Sequence, residues 1–345
     1  MSNNKASFII SGQEGRLIKT GKAISPGHPS KTMIELSESL TAREAALKII
    51  DSLLGTAEKN AEGIKNDIGT DFIHDFRVSL RRLRTLMGQF KQVFPKDTVD
   101  SIRNGLSSLG RISNSSRDLD VYLARKSEYM EMLPKRMRPH LDVFFKRLDE
   151  SRKKEFGAMQ GELDSETYKS TMATLHELIK NSTRLPETRN SREPAKLLAS
   201  RFILKKFKNI ILDGSDISDE TSDNDIHRLR ISCKHLRYLI EFFSSLFPSR
   251  ETSQILRQMK QLQDRLGTYN DLSVQQRYLN SHIETYGRGE KDSVPFLKSL
   301  RNLIAELDFE KDSEQIAIVK KMSRFCSRRN IRKFKQLFSS EKTSI

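Results

Sequence analysis

Tryptophan is absent, and cysteine occurs twice in 345 residues, at Cys233 and Cys326. Two cysteines cannot build a disulfide framework or a cysteine-based zinc site. Pro (9) and Gly (16) are scarce, which argues against an all-β sandwich with its many turns. No apolar run approaches the roughly 18 residues of a membrane span, so no membrane association is expected. The N-terminus, MSNNKASFIISGQEGR, lacks a basic segment leading into a long apolar one, so it does not read as a secretory signal and a cytoplasmic location is expected. Acidic residues are also in deficit. Lys and Arg number 61 against 45 Asp and Glu, a net charge of +16 and a pI of about 9.7. That balance favours a polyanionic partner.

What remains is a text rich in helix formers. Residues 1–40 are irregular, with short strand-like pieces and a turn-rich ISPGHPS linker. Thr41-Ala-Arg-Glu44 has the spacing of a capping box and opens a helix to about Asn66. Further helices are expected near 71–94, ended by Phe94-Pro95 because proline cannot continue a helix, then 97–112, 117–133, 137–159 and 165–183. A proline-containing loop at 184–194 marks the middle of the chain. Helices near 195–212, 225–247, 250–266, 271–286, 294–308 and 313–338 follow, before a tail at 339–345. The acidic stretch Asp213–Asp225 reads as a solvated connection, with competition for a basic site as the other reading. Cys233 stands among Lys and Arg, which could lower its pKa; a plain helix-face thiol is the favoured reading.

The organisation comes from an internal repeat. His74-Asp-Phe-Arg-Val-Ser-Leu-Arg-Arg-Leu-Arg84 aligns with His227-Arg-Leu-Arg-Ile-Ser-Cys-Lys-His-Leu-Arg237, an offset of 227 − 74 = 153. The register holds without a gap to Val121/Val274, with 14 identities in 48 positions. An all-α protein of two similar halves, about 41–183 and 195–338, is the simplest architecture.

On a helical wheel His74, Arg77, Arg81 and Arg84 share an arc of about 80°, and Leu80, Leu83, Leu86, Met87 and Phe90 lie opposite. His227, Arg230, Lys234 and Arg237 repeat the arc, backed by Leu236, Leu239, Ile240 and Phe243. Stacked like charges repel, so a stripe repeated in register calls for a counter-charge: carboxylates from elsewhere in the fold, or an anionic ligand. Arginine offers a planar donor fork suited to phosphate oxygens. Asp75 and Asp225, or Asp118 and Asp271 from the partner helices, could equally serve the histidines. Further cations that could join the same cavity are Arg201 and Lys205 before the second motif, Arg117 beside the first, and Arg324, Arg328 and Arg332 at four-residue spacing on the last helix.

HDFRVSLRRLR, LGRISNSSRDLDVYL, HRLRISCKHLRYLIEFF and LQDRLGTYNDLSV, in this order, closely resemble the CHAD family, the conserved-histidine α-helical domain. The resemblance covers about residues 41–338. It implies two four-helix bundles related by a pseudo-twofold axis, a basic groove between them, binding of inorganic polyphosphate, and association with polyphosphate granules. Carried over by position, it implies His74, Arg77, Arg81, Arg82 and Arg84 in the first half, and His227, Arg230, Lys234 and Arg237 in the second. His235 occupies the slot of Arg82, and Asn114 stands where the other repeat has Gly267, a difference expected to alter a local turn but not the ligand site. The Glu-x-Glu-x-Lys signature of the triphosphate tunnel enzymes fused to some members is absent.

Non-catalytic polyphosphate binding is therefore the leading expectation. A nucleic-acid phosphate-backbone binder is the alternative, weakened because base stacking wants aromatics among the cations and the motif phenylalanines fall on the core face. An enzyme is the third class, but no Gly-rich phosphate loop and no metal-ligand cluster is present in the sequence, and no cofactor is implied.

Overall fold

The structure, a computed structural model, describes residues 34–286 and 294–339. The strand-like pieces expected before residue 34 and most of the tail lie outside the described residues. The described chain forms eleven α-helices and no strand: α1 (Ala42–Lys65), α2 (Thr70–Gln89), α3 (Lys96–Ala124), α4 (Lys126–Met132), α5 (Arg138–Glu162), α6 (Glu166–Lys180), α7 (Ala195–Ser215), α8 (Asp223–Phe242), α9 (Ser249–Tyr286), α10 (Val294–Phe325) and α11 (Arg328–Phe338). The all-α expectation holds.

Local chemistry sets the starts. The Thr41 hydroxyl oxygen accepts from the Glu44 amide at 3.3 Å, and the Glu44 carboxylate accepts from the Thr41 amide at 2.8 Å, completing the capping box. Ser165, Ser222 and Ser327 cap α6, α8 and α11 in the simpler way. The mid-chain loop is tied back to the start of α1: the Arg43 guanidinium donates to the carbonyls of Leu185, Pro186 and Val93.

Several boundaries differ from the sequence reading. The helices expected at 97–112 and 117–133 are one helix through 124 followed by the short α4, and those at 250–266 and 271–286 are the single α9. Gly110, Asn114 and Gly267 sit inside these helices, because tertiary packing outweighs the modest helix penalty of each. The expected turn at Asn114/Gly267 is therefore absent. The last helix breaks at Cys326-Ser327, so Arg324 ends α10 while Arg328 and Arg332 belong to α11. Helix α2 stops at Gln89, before Phe94, because the chain turns to bury Phe90, Val93 and Phe94.

Helices α1, α2, α3 and α6 touch in a closed ring, and α7, α8, α9 and α10 do the same. Contacts of α1 with α7 and of α2 with α8 join the rings, and a single apolar core runs through both. At the seam Phe90 stacks on Phe243, centroids 5.1 Å apart and planes 17° apart; these residues are 153 apart in sequence. Tyr122 packs on Tyr278 at 4.8 Å, and Arg125 Nη1 donates to Gln275 Oε1 at 2.9 Å. Exchanging residues 153 apart turns the first contact into the second. A second core, including Leu119, Tyr129, Phe144, Leu272 and Leu300, lies towards the far ends of α3 and α9.

Candidate functional site: a basic cleft between the repeated helix pairs

The two repeated helix pairs, α2–α3 and α8–α9, wall a cleft of about 800 Å³. Each motif helix turns its apolar side into the common core, which leaves its cationic side to line the opening. Arg77, Arg81 and Arg84 come from α2, Arg103 from α3, and Arg230 and Lys234 from α8. Against these six basic side chains stand two lining carboxylates, Asp118 and Asp271.

Arg81 lies at the centre, held by its Nε–H donating to the Tyr238 hydroxyl at 2.9 Å. Its charge bears on neighbours in both halves. Burial lowers Arg77 to about 10, aided by Arg81 and Arg117 and opposed by Asp118 and Asp120. Burial lowers Arg84, with Arg81 and Arg103 adding to the effect. Burial likewise lowers Arg230, Asp271 opposing and Arg81 assisting. Lys234 falls furthest, to about 5, through burial and the charges of Arg81, Arg230 and Arg237. His235 falls to about 4 through burial beside Lys206, Lys234 and Arg84. Burial, with the neighbouring cations adding to it, therefore disfavours a proton on Lys234 and on His235 at neutral pH. Asp118 is raised, by burial first and also by Asp271, its repeat mate.

Two asparagines tune the walls. Arg77 Nη2 donates to Asn114 Oδ1 at 2.6 Å, so Asn114 belongs to the site, contrary to the expectation that the Asn114/Gly267 difference touches only a turn. His227 Nδ1 lies 2.6 Å from Asn270 Oδ1; an amide oxygen only accepts, so Nδ1 carries a proton and Nε2 is left to a ligand. The histidine partner is thus Asn270, since Asp225 binds Ser222 and Arg228 instead.

The remaining expected site residues fall elsewhere. His74 is half-buried and is not among the cleft-lining residues. Arg117 stands behind Arg77 and Asp118 without lining the cleft. Arg82 is 2 % exposed; its Nη1 donates to Glu241 Oε2 at 2.5 Å, and its guanidinium lies over Tyr238 and Phe242. Arg237, 13 % exposed, pairs with the same Glu241 at 3.2 Å. Both arginines are held in the seam by a carboxylate, which removes them from the cleft lining. Glu241 sits where the first half has Gly88, and Gly88 lines the cleft beside Arg103. Arg201 pairs with Glu193, and Lys205 is exposed on α7; neither lines the cleft, nor do the exposed Arg324, Arg328 and Arg332.

Cys233 is fully buried, and burial pushes its thiol up, so the neighbouring cations do not activate it. The acidic connection turns to α10 instead of the cleft: Gln315 Nε2 donates to the carbonyls of Ser218, Asp219 and Thr221, and Lys311 binds Asp223 at 3.0 Å. Arg103, Asn270, Gln89 and Ser107 are cleft residues that the repeat did not single out. Arg103, Ser107 and Arg111 at four-residue spacing were the available sign for the α3 wall, and Arg111 lines a small annex beside Arg77.

Among the described residues no helix is long and apolar enough to cross a membrane, and no group of three or more His, Cys, Asp or Glu side chains is arranged to hold a metal ion. The family model of the CHAD domain matches residues 48–280. No curated protein matches the chain. The crystal structure of the CHAD domain from the plant Ricinus communis superposes with a TM-score of 0.71 at 21% identity, covering 88% of this chain and 97% of that one. PptA from Streptomyces chartreusis gives a TM-score of 0.58 at 16% identity, covering 79% and 98%.

Proposed function

The chain belongs to the CHAD domain family, and from its cleft we propose that it binds inorganic polyphosphate without reading bases. The observation that carries this reading is the composition of the cleft wall: six Arg and Lys side chains against two carboxylates, with no exposed Phe, Tyr or Trp ring among the described lining residues. The one Phe, Tyr or Trp in the described lining, Tyr122, is buried and already packed on Tyr278. A chain of phosphates needs only charge and hydrogen-bond donors, which arginine forks supply two at a time. Entry of the anion restores the proton on Lys234 and leaves His227 Nε2 a ligand to face. The Asn114 and Tyr238 contacts preset the Arg77 and Arg81 guanidiniums, which lowers the ordering cost of binding.

Affinity should be carried by counterion release and fall steeply with salt. Titration of polyphosphate at low and high salt, against an Arg77→Gln/Arg81→Gln/Arg230→Gln variant, tests the reading. Loss of binding in the variant supports it. Equal binding by the variant, or tighter binding of DNA or RNA than of polyphosphate at equal phosphate concentration, overturns it. Cytoplasmic polyphosphate granules would be the natural place for such a protein.

A further inference from the structure

Eight of the cations lie in one stretch of chain that does not line the cleft. Residues 315–338 contain eight Lys and Arg and no Asp or Glu, against +16 for the whole chain. The structure divides them between the last turns of α10 (Lys320, Lys321, Arg324) and α11 (Arg328, Arg329, Arg332, Lys333, Lys335). On α11 the five cations occupy an outer arc of about 160° at 100° per residue, and all five are exposed. Its other side, Asn330, Phe334 and Phe338, is buried. None of the eight makes an ion pair with a described carboxylate, whereas Lys196, Arg201 and Arg265 on other helices each have one.

We infer that the outer face of α11, with the end of α10, is a second binding surface for the same phosphate chain, engaged by the part of a long polyphosphate that extends beyond the cleft. The inference rests on the polyphosphate reading of the cleft. Five cations on one short helix with no described carboxylate partner repel one another, so the face is complementary to an extended anion. The apolar side of α11 is committed to its own core: Phe334 stacks on Phe207 of α7 with centroids 3.8 Å apart. The helix therefore has no free apolar side to bury in a bilayer, and no aromatic on its outer face offers a base a stacking partner. That stack also sets α11 beside a basic part of α7. Phe207 is flanked by Lys206, which stands close to the cleft residue His235, and by the exposed Lys208, with Lys205 one residue earlier. Lys206 of α7 is thus near the cleft while its neighbour Phe207 packs on α11.

The test compares the wild-type chain, an Arg328→Gln/Arg332→Gln/Lys335→Gln variant and the cleft variant Arg81→Gln/Arg230→Gln. The ligands are tripolyphosphate, long-chain polyphosphate, duplex DNA and phosphatidylserine vesicles, and circular dichroism checks the fold of each variant. The α11 variant should bind tripolyphosphate as the wild type does. It should bind long chains about tenfold more weakly at low salt, with a log–log salt slope smaller by about two. The cleft variant should lose both ligands. Unchanged long-chain affinity and slope in the α11 variant overturn the second surface while leaving the cleft reading intact. Loss of only DNA or vesicle binding in that variant also overturns it, in favour of a different partner. Failure of the wild type to bind any polyphosphate overturns both readings together.

Discussion

Arg82 of α2 and Glu241 of α8 meet across the seam between the halves at 2.5 Å, with the guanidinium under Tyr238 and Phe242. Family position alone would make Arg82 a ligand contact; its burial makes it a cross-link. Removing one member of a buried pair leaves the other uncompensated and costs about 3 kcal/mol or more. Arg82→Ala is expected near that figure, because Glu241 keeps Arg237. Urea denaturation reads the loss, and titration of the folded variant should give unchanged polyphosphate affinity. Weakened binding at full stability would return Arg82 to the site.

Binding should consume protons. Within the cleft burial and neighbouring cations lower Lys234 to about 5 and His235 to about 4. A bound phosphate chain supplies the missing counter-charge and moves both upward. Between the free and bound values the complex holds more protons than its parts, so affinity falls as pH rises, by as much as tenfold per unit for each proton. Calorimetry near pH 7 in two buffers of different ionisation enthalpy should report net uptake. Equal heats in the two buffers would rule it out.

Lys234 should trade stability for function. Its folded value lies far below that of the unfolded chain, so between about 5 and the usual lysine range the unfolded state binds more protons. Lys234 therefore subtracts stability near neutrality, and the penalty fades as pH rises through the unfolded value. Lys234→Met is expected to stabilise the free protein by about 1–2 kcal/mol at pH 7, with a smaller gain near pH 10, and to weaken polyphosphate binding. A destabilised Lys234→Met at pH 7 would contradict the burial of this side chain.

Two glycines should respond in opposite directions. A Cβ at Gly267, inside α9, would meet nothing within 4 Å, so Gly267→Ala should add up to about 1 kcal/mol of helix stability. A Cβ at Gly105, inside α3, would come 2.2 Å from Thr171 Oγ1 of α6, so Gly105→Ala should cost about 1–3 kcal/mol. Thermal melts of the two variants make the comparison.

The repeat and the helical wheel carried much of the site in plain view. A period-3.6 stripe of cations opposite a leucine–phenylalanine stripe can face only away from the core, and Arg77, Arg81, Arg230 and Lys234 do so. Arg82 was expected in the site from its family position, and the structure buries it. Arg237 shows the limit of the wheel. It shares the arc of Arg84, yet Glu241, a carboxylate with only Gly88 opposite it in the repeat, draws it aside. Periodicity gives the direction in which a side chain leaves its helix; it does not give the partner met from another helix. The same gap hid Asn114 and Asn270, whose roles arise from pairing across helices. The continuous α3 and α9 were missed because glycine and asparagine mark possible breaks, and only packing decides whether the break is taken.

The Phe90–Phe243 stack has a mechanical consequence. The two walls of the cleft are the outer faces of helices whose inner faces share one core, so neither wall can retreat without unpacking that core. The opening is a gauge of fixed width. A ligand adjusts to it by its own flexibility, and a thin, freely jointed chain can conform where a stiff duplex cannot.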